Sequence, residues 1–201
     1  MTRLARSSLY GRLTQQRSLR IALAVAPHVP AQSRVLDFGC GNGYTALCLA
    51  ERVPCQMTGI DVIRDINLLD ETALRIGFIQ YAGGPLPFPA GSFDVVLASA
   101  VMHHTPDPVF YLDEFLRILQ PGGRILLVEE MYRTLAGRLF LQAHDYVLNK
   151  LKKGVPLPLN FFSLDTYKNL FAERCLRILY HGSVRPAFPF VRHEVFVLQA
   201  P

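Results

Sequence analysis

The segment from Val35 to Gly43, with the sequence Val-Leu-Asp-Phe-Gly-Cys-Gly-Asn-Gly, constrains the fold of this chain more than any other stretch. A short apolar run, predicted as a strand, leads into glycines at three alternate positions and then into a helix-like run over 44–52. Glycine accepts a positive φ and has no Cβ, so its backbone can approach a ligand closely and point N–H groups at it. The order of strand, tight turn and helix therefore predicts a nucleotide-type cofactor site.

Two acidic residues accompany this glycine turn. Asp37 stands near the end of the strand, where its carboxylate can hold the turn or the charged end of a cofactor. Asp61 ends the next apolar run, and a carboxylate at that place can bind both hydroxyls of a ribose. The alternative for Asp61 is a helix N-cap before residues 62–64. Because the pattern that starts at Gly41 also fits the loose dinucleotide fingerprint, the glycines alone leave nicotinamide cofactors open.

Motifs further along the chain distinguish between nicotinamide cofactors and other nucleotide-type cofactors. The segment 35–43 resembles motif I of the class I S-adenosylmethionine-dependent methyltransferases. Three later segments match the same family in its order: Gly59-Ile-Asp61, the stretch from Leu86 to Val96 and the stretch from Leu119 to Gly123. Residues 99–104, Ser-Ala-Val-Met-His-His, are similar to the segment after the fourth strand in the type 11 branch, which includes ubiquinone and menaquinone methyltransferases. The resemblance covers residues 35–130, the cofactor half of the domain.

This resemblance implies that the chain binds S-adenosylmethionine, releases S-adenosylhomocysteine and methylates a small, apolar or aromatic acceptor. The implied cofactor-binding residues are Asp37, Gly39, Cys40, Gly41, Gly43, Asp61, Val62, Ala82, Gly83 and Ser99. Ser99 would line the floor below the methyl group, and its alternative role is to cap a strand end. In the family an acidic residue precedes Leu-Pro-Phe and meets the adenine amino group, whereas this chain has Ala82 there. Backbone groups of Ala82 and Gly83, or the Tyr81 hydroxyl, would hold the adenine instead.

Two alternative functions stay open, and the missing acid makes the first of them credible. One is a binding or scaffold protein that has the methyltransferase fold and little or no activity. The other, less favoured, is a nicotinamide-dependent oxidoreductase, which Asp37 and the later motifs argue against.

His103 and His104 form the polar pair whose pattern is most typical of catalysis. An imidazole with an ordinary pKa of about 6.5 can accept a proton from a hydroxyl or a carbon acid as the methyl leaves sulfur. The structural alternative is that His104 caps the helix that opens at residues 105–108, while His103 packs underneath. The sequence predicts no metal, because no third ligand follows the two histidines at a recognisable spacing.

Composition indicates one soluble globular domain, since 201 residues with 50% hydrophobic content can bury a single substantial core. No apolar stretch approaches the roughly 20 residues that span a bilayer. The four cysteines, Cys40, Cys48, Cys55 and Cys175, lie in apolar patterns and are predicted to be reduced core residues. Reduced cysteines favour a cytoplasmic protein. The resemblance implies a small-molecule acceptor, and no nucleic-acid partner is expected. The oligomeric state stays open.

The net charge of +5 is concentrated at the N-terminus, because six arginines and no acid precede Asp37. An arginine-rich start without acids is also typical of an organelle transit peptide. Apolar residues from Leu9 to Ala24 nevertheless recur at helical spacing up to the first strand, which favours a helix of the folded domain. The arginines of this helix either form a solvated face or attract an acidic substrate or a phosphate surface.

Alternating signals predict an α/β, Rossmann-like, doubly wound, mostly parallel seven-stranded sheet, to which the resemblance adds an antiparallel C-terminal hairpin. Strands are predicted at 34–38, 56–60, 77–81, 93–98, 123–129, 175–181 and 191–199, and helices at 43–52, 63–76, 108–119, 133–153 and 163–172. Ligands bind at the carboxyl ends of such strands, so Asp61, the turn at 81–83 and Ser99 should surround one crevice. The Pro-Gly-Gly stretch at 121–123 is predicted to end a helix.

We expect one methyltransferase domain over 1–201. It divides into an N-terminal helical segment over 1–30, a cofactor-binding core over 33–130, an inserted helix and cover over 131–162, and a C-terminal helix and strand pair over 163–201. The inserted helix has an apolar side with Leu135, Leu139, Phe140 and Val147, and a basic side with Arg138, Lys150, Lys152 and Lys153. We predict that residues 133–162 form a mobile cover whose apolar face helps build the acceptor pocket. The alternatives are a helix packed permanently on the core and, less favoured, a membrane-surface helix.

Overall fold

The structure is a computed structural model that describes residues 9–64, 76–150, 156–185 and 191–201. The strands are β1 (Arg34–Phe38), β2 (Gln56–Asp61), β3 (Gly77–Gln80), β4 (Phe93–Ser99), β5 (Leu119–Glu129), β6 (Arg177–Val184) and β7 (His193–Gln199). The α-helices are α1 (Leu9–Val25), α2 (Tyr44–Ala50), α3 (Pro108–Ile118), α4 (Leu135–Asn149) and α5 (Leu164–Glu173), and short 3-10 helices cover Ala26–His28 and Met102–His104. The predicted helix over 63–76 lies almost wholly outside the described residues.

The seven strands form one sheet in the order β3-β2-β1-β4-β5-β7-β6. β1 pairs in parallel with β2 on one side and with β4 on the other, and the parallel pairing extends to β3 and β5. β7 is antiparallel to both β5 and β6. The predicted α/β class, mixed sheet and C-terminal hairpin are therefore confirmed. The strand order reverses between β1 and β4, and a ligand crevice is expected at the carboxyl ends of these two strands.

The core has two layers, one on each face of the sheet. Consecutive strand residues point to opposite faces, and Val35 and Leu36 accordingly belong to different clusters. Val35 packs in a cluster with residues of α1 and α2, such as Ile21 and Leu49. Leu36 packs in a cluster with residues of α3 and α5, such as Phe115 and Phe171. Helices on both faces of the sheet give the doubly wound arrangement that the alternating pattern predicts.

The start of β5 differs from the prediction. α3 ends at Ile118, and the N–H of Leu119 donates to the carbonyl of Phe115. The Pro-Gly-Gly stretch at 121–123 then lies inside β5 rather than at the end of a helix. The pairing of β4 with β5 shifts register here, from Phe93 opposite Leu119 to Val95 opposite Arg124. The irregular register accommodates the three residues, with Gly122 at a φ of +73°.

The N-terminal helix is buried on one side only. α1 packs on the sheet through the buried residues Ile21, Ala22 and Val25, whereas Leu9 and Leu23 are exposed.

All four cysteines are free, as predicted. Cys40 and Cys48 are buried and Cys55 is half-buried, but Cys175 is exposed, so its placement in the core is wrong. Cys175 lies in the turn after α5 with a φ of +53°, and that turn carries it to the surface.

In the described part of the chain, every helix is too short or too polar to cross a membrane.

Candidate active site

The glycine turn connects the end of β1 to α2. Gly39, Gly41 and Gly43 have φ values of +66°, +53° and +70°, a region that side chains with a Cβ rarely adopt. The N–H groups of Gly39 and Cys40 donate to the carbonyl of Ile60, at 2.8 and 3.2 Å, which ties the turn to the end of β2. A Cβ added at Gly41 would meet nothing within 4 Å, so the turn is open at this residue.

Gly39 has a different role, because a Cβ there would overlap the side chain of Val101. Val101 belongs to the segment that follows β4. In this segment Ala100 has a φ of +50°, and its N–H donates to the carbonyl of Val128 in β5 at 2.8 Å. The missing side chain at Gly39 therefore allows the segment after β4 to lie directly against the glycine turn. Ser99, the last residue of β4, leads into this close approach and is half-buried.

Asp61 is placed beside the turn as predicted. One carboxylate oxygen accepts a hydrogen bond from the N–H of Gly41 at 2.8 Å, and the other accepts from the N–H of Ile63 at 3.0 Å. The second bond is the one expected from the alternative role of Asp61, in which it caps the residues that follow β2. A carboxylate has about four lone-pair sites, so Asp61 keeps capacity for further donors. Val62 follows it, and its carbonyl accepts from the side chain of Gln80 at 3.2 Å.

Asp37 is 2% exposed, and its Oδ2 has no hydrogen-bond partner among the described residues. Burial, together with the negative charge of Asp61, raises the pKa of Asp37 to about 8. A buried carboxyl without a full set of partners is costly, because the charged form has lost its solvation. Asp37 is therefore poised to gain from a positively charged or hydrogen-bond-donating neighbour.

The turn after β3, where the adenine is expected, is held by Tyr111, a residue that the sequence motifs do not single out. Ala82 is exposed, and Gly83 has a φ of +89°. The Tyr81 hydroxyl, instead of being free, contacts the hydroxyl of Tyr111 at 3.3 Å, and the N–H of Gly84 donates to the same Tyr111 oxygen at 3.2 Å. Tyr111 lies on the buried side of α3 and so fixes the turn after β3. Its only signal in the sequence is its position on the apolar face of that helix.

His103 is buried at the carboxyl ends of β4 and β5. Its Nδ1 lies 2.6 Å from Oε1 of Glu129, its Nε2 lies 3.7 Å from Oδ1 of Asp145, and its ring stacks on Phe161 with centroids 4.4 Å apart. Burial by itself lowers the pKa of His103, but the charge of Glu129 and hydrogen bonding to Asp145 and Glu129 outweigh it and raise this pKa to about 10. In the absence of another cation, His103 is thus a buried imidazolium held between two carboxylates.

His104 is adjacent and partly open to solvent. Its Nδ1 lies 2.9 Å from the carbonyl of Pro156, and its Nε2 lies 3.8 Å from Oδ1 of Asp145. Burial and the charge of His103 lower the pKa of His104 to about 4. His104 does not cap α3, because Asp107 does so by accepting from the N–H groups of Val109 and Phe110, each at 3.0 Å. The side chain of Asp107, which is shorter and precedes α3 directly, is better placed to reach these N–H groups.

Three acids around the histidines were not identified from the sequence. Glu129 is the last residue of β5, Glu130 follows it, and both are buried. Oε2 of Glu129 also accepts from the N–H of Met102 at 2.9 Å. Asp145 comes from α4, where it receives a hydrogen bond from Asn149 at 2.6 Å. Two consecutive acids directly after a run of four apolar residues, 125–128, were the available signal for the glutamates. For Asp145 the signal was its helical spacing from Leu141 and Asn149.

The orientation of α4 differs from the predicted one. Its buried stripe is Leu141, Asp145 and Asn149. The apolar side predicted to face the acceptor pocket is exposed to solvent, with Leu135 at 70%, Leu139 at 59%, Phe140 at 58% and Val147 at 71%. The same exposure contradicts the alternative in which this side packs on the core. The stripe with Asp145 faces inward because a buried carboxylate needs a charged or hydrogen-bonding partner, and the histidine pair provides one.

The loop after α4 lies over the histidines. The N–H of Asn160 donates to the carbonyl of His103 at 2.9 Å, and its side-chain amide donates to the carbonyls of Thr105 and Pro106 at 2.9 and 3.0 Å. Together with the Pro156 carbonyl, these contacts fasten residues 156–160 to the segment after β4. The loop thus lies against the segment after β4, the same segment whose Val101 side chain approaches Gly39 in the glycine turn.

Comparison with known proteins identifies this arrangement. A family model described as a methyltransferase domain matches residues 36–127. The chain is 32% identical over 145 residues to 27-O-demethylrifamycin SV methyltransferase from Amycolatopsis mediterranei, covering 69% of this chain and 52% of that protein. The chain contains a methyltransferase domain of the S-adenosylmethionine-dependent family. The family predicted from the four ordered motifs is therefore confirmed.

A second relative is also named as a methyltransferase. The chain is 30% identical over 171 residues to the chloroplastic tocopherol O-methyltransferase of Arabidopsis thaliana, with 79% of this chain and 49% of that protein covered. The chain thus spans about half the length of the curated relatives it matches.

Solved structures share the fold of the methyltransferase domain over nearly the whole chain. One was determined in complex with the Trm112 methyltransferase activator of Haloferax volcanii, with a TM-score of 0.70, 21% identity, and 95% of this chain and 94% of that chain covered. Another is the 1,6-didemethyltoxoflavin-N1-methyltransferase of Burkholderia thailandensis with bound S-adenosylhomocysteine, with a TM-score of 0.68, 17% identity, and 93% and 80% covered.

Proposed function

We propose that this protein transfers a methyl group from S-adenosylmethionine to a small acceptor that is apolar or aromatic and carries a nucleophilic polar group. The observation that carries the proposal is the close approach of Val101 to Gly39, which joins the glycine turn to the segment bearing His103 and His104. A cofactor site and a polar acceptor site would then share one crevice.

The residues around the glycine turn fit this cofactor. Asp37 has a buried carboxylate oxygen without a partner among the described residues, which suits the cationic methionine end of the cofactor. The open side of Gly41 leaves room for close contact, and Asp61 would accept hydrogen bonds from the ribose. Cys40 and Gly43 complete the turn, and backbone groups of Ala82 and Gly83 would face the adenine. The hydroxyl of Tyr81 is engaged with Tyr111, which leaves the backbone as the better adenine partner.

Methyl transfer depends mainly on the alignment of the donor with the acceptor. When bound, S-adenosylmethionine supplies a methyl group that its sulfonium already activates. The protein would orient the acceptor and exclude water, and orientation alone can lower a barrier by about 7–11 kcal/mol. Ser99 and Val101 would form the floor of the crevice. His103 and His104 are the proposed catalytic residues, because they follow Val101, which lies against the glycine turn, and their rings would offer polar atoms to the acceptor.

The acceptor class is supported by what the relatives methylate. Their names specify O-methylation of tocopherol and methylation of demethylrifamycin SV, both of them small organic molecules. A phenol or another hydroxylated ring is therefore the proposed acceptor. The inactive scaffold is not favoured, since these relatives are named as enzymes, and the match to a methyltransferase domain also disfavours a nicotinamide-dependent oxidoreductase.

Residues 133–162 are proposed to act as a cover over the acceptor side. The contacts of Asp145, Pro156 and Asn160 with the histidine segment support this position. The inner surface of this cover is polar, because the apolar side of α4 faces solvent. An acceptor would thus meet Asp145 of α4 and the two histidines of the segment after β4, and its apolar part would contact Phe161 and the strand ends.

The decisive experiment is a two-stage assay with purified protein. Calorimetry first compares the binding of S-adenosylhomocysteine with that of NAD. Methyl transfer from isotope-labelled S-adenosylmethionine is then measured against a panel of phenols, quinols, amines and carbon acids. We expect S-adenosylhomocysteine to bind, NAD not to bind, and a hydroxylated ring to be labelled. Binding of S-adenosylhomocysteine with no transfer to any acceptor class would instead support the scaffold alternative.

A further inference from the structure

We propose that His103, His104 and Asp145 form a binding site for a divalent transition-metal cation of the Zn²⁺ type. Spacing along the sequence did not reveal this group, because Asp145 comes from a different element and reaches the histidines only through the fold. The site extends the protein's chemistry beyond the alignment of a donor and an acceptor.

The three ligand atoms converge on one point. The Nε2 atoms of His103 and His104 lie 3.7 and 3.8 Å from Oδ1 of Asp145, and a ligand atom of each residue lies within 4.8 Å of the other two. Bonds of about 2.0–2.2 Å to a tetrahedral Zn²⁺ place neighbouring ligand atoms roughly 3.3–3.6 Å apart. Small side-chain rotations would therefore bring the three atoms to coordinating distance.

The atoms behind the ligands have the arrangement that metal sites require. A metal-bound histidine usually donates its other ring N–H to a carboxylate or a backbone carbonyl, which fixes the tautomer and the ring orientation. Nδ1 of His103 lies 2.6 Å from the Glu129 carboxylate, and Nδ1 of His104 lies 2.9 Å from the Pro156 carbonyl. A carbonyl oxygen only accepts, so Nδ1 of His104 carries the hydrogen and a neutral ring presents the Nε2 lone pair to the cluster. Asn149 holds the Asp145 carboxylate in turn, at 2.6 Å.

The charge and the donor atoms indicate which cation the site would take. Asp145 and Glu129 bring two buried carboxylates to the cluster, and a divalent cation would balance both. Two imidazole nitrogens and one carboxylate oxygen suit Zn²⁺ and its first-row neighbours rather than Mg²⁺ or Ca²⁺, which prefer oxygen ligands. Three protein ligands also leave at least one coordination position open, as in catalytic zinc sites. The partial exposure of His104 provides the side from which an ion enters.

The site also has a consequence for the acceptor, which rests on the proposed function. An ion at this position would bind the hydroxyl oxygen of the acceptor at its open coordination position and favour the deprotonated, more nucleophilic form. Phenols, and above all rings with two neighbouring hydroxyls, are the acceptors that such a site selects.

The test uses the full chain after treatment with a chelator, without cofactor or acceptor. Calorimetric titration with Zn²⁺ should show saturable binding of one ion per chain, and Co²⁺ should give the visible absorption bands of a low-symmetry, four- or five-coordinate site. His104→Ala and Asp145→Asn should each weaken Zn²⁺ binding by at least tenfold. Glu129→Gln, which alters the support behind His103 without removing a proposed ligand, should weaken it by about 10–100-fold.

Matched controls separate this site from other metal-binding groups. His181→Ala removes a partly buried histidine on β6 that pairs with Glu194, and it should leave Zn²⁺ affinity unchanged. Cys175→Ser removes the exposed thiol and should also leave affinity unchanged. Circular dichroism and thermal unfolding establish that each variant is folded. Absence of saturable binding in the unmodified chain, or equal binding by His104→Ala and His181→Ala, would overturn the proposal. Because S-adenosylhomocysteine binding is measured separately, that result would not affect the assignment of the cofactor site.

Discussion

The carboxylate of Asp61 accepts a hydrogen bond from the backbone N–H of Gly41 at 2.8 Å, and this contact ties the end of β2 to the glycine turn. The residue proposed to bind the ribose therefore also shapes the turn that would receive the rest of the cofactor. A substitution of Asp61 should affect both roles, and the two can be measured apart.

Asp61→Ala should weaken the binding of S-adenosylhomocysteine by about 1.5–3 kcal/mol, the usual contribution of hydrogen bonds to a charged group. Asp61→Asn keeps one oxygen that can accept from Gly41 and should lose less affinity. Calorimetry on both variants measures the difference, and Asp165→Ala, at an exposed position in the first turn of α5, serves as the control. Unchanged affinity in Asp61→Ala would count decisively against the ribose assignment.

Gly41→Val should abolish cofactor binding. A side chain there would occupy the open side of the turn, and valine tolerates the φ of +53° poorly. Gly122→Val is the matched control, because Gly122 also has a positive φ, of +73°, but lies at the start of β5, away from the crevice. A folded Gly41→Val protein that binds S-adenosylhomocysteine normally would show that the turn is only structural.

Asp37→Asn should stabilise the free protein at alkaline pH while weakening cofactor binding. Burial raises the pKa of Asp37 to about 8 from an ordinary 3.8, so between these values the folded chain holds a proton that the unfolded chain has released. The free energy of unfolding contributed by this group therefore falls as pH rises from about 4 to 8.

Urea denaturation at pH 5 and pH 8 measures this effect. The stability of Asp37→Asn relative to the unmodified chain should increase between the two pH values by on the order of 3 kcal/mol, because each unit of pKa difference corresponds to about 1.4 kcal/mol. A constant difference between the two proteins would show that Asp37 is already charged and satisfied at pH 5.

Amide hydrogen exchange tests the cover over residues 133–162. The described part of this segment, 133–150 and 156–162, should exchange quickly in the free protein and become protected when S-adenosylhomocysteine and an acceptor analogue bind together. The last part of α1, where Ile21, Ala22 and Val25 are buried, is the internal reference and should exchange slowly throughout. Uniformly slow exchange of α4 that ligands do not change would rule out the cover.

Asn160→Ala should loosen the loop without removing any proposed catalytic group. The substitution deletes the two hydrogen bonds from the side-chain amide to the carbonyls of Thr105 and Pro106, each worth about 0.5–1.5 kcal/mol. We expect faster exchange over 156–162 and a higher KM for the acceptor, with unchanged affinity for S-adenosylhomocysteine. Asn169→Ala, on α5, is the matched control, and an equal effect of both substitutions on KM would contradict a role for the loop.

The sequence by itself determined the local features of this protein. The glycine turn, the acids at positions 37 and 61 and the alternation of strands and helices follow from backbone conformation and periodicity, which act over a few residues. These features were sufficient to predict the doubly wound sheet. The C-terminal hairpin and the cofactor family were predicted instead from the resemblance of four ordered motifs to a known family. The alternation of strands and helices also predicted that the segment after β4 would reach the crevice.

Only the tertiary structure decided what surrounds the histidines and which side of α4 faces inward. Helical periodicity separates Leu135, Leu139 and Val147 from Asp145 and Asn149, but it does not state which stripe is buried. That choice depends on a partner from another element, because a buried carboxylate is tolerated only where a cation or hydrogen-bond donors compensate its lost solvation. His103 and His104 provide this compensation from the end of β4, and the chain must fold before the three side chains meet.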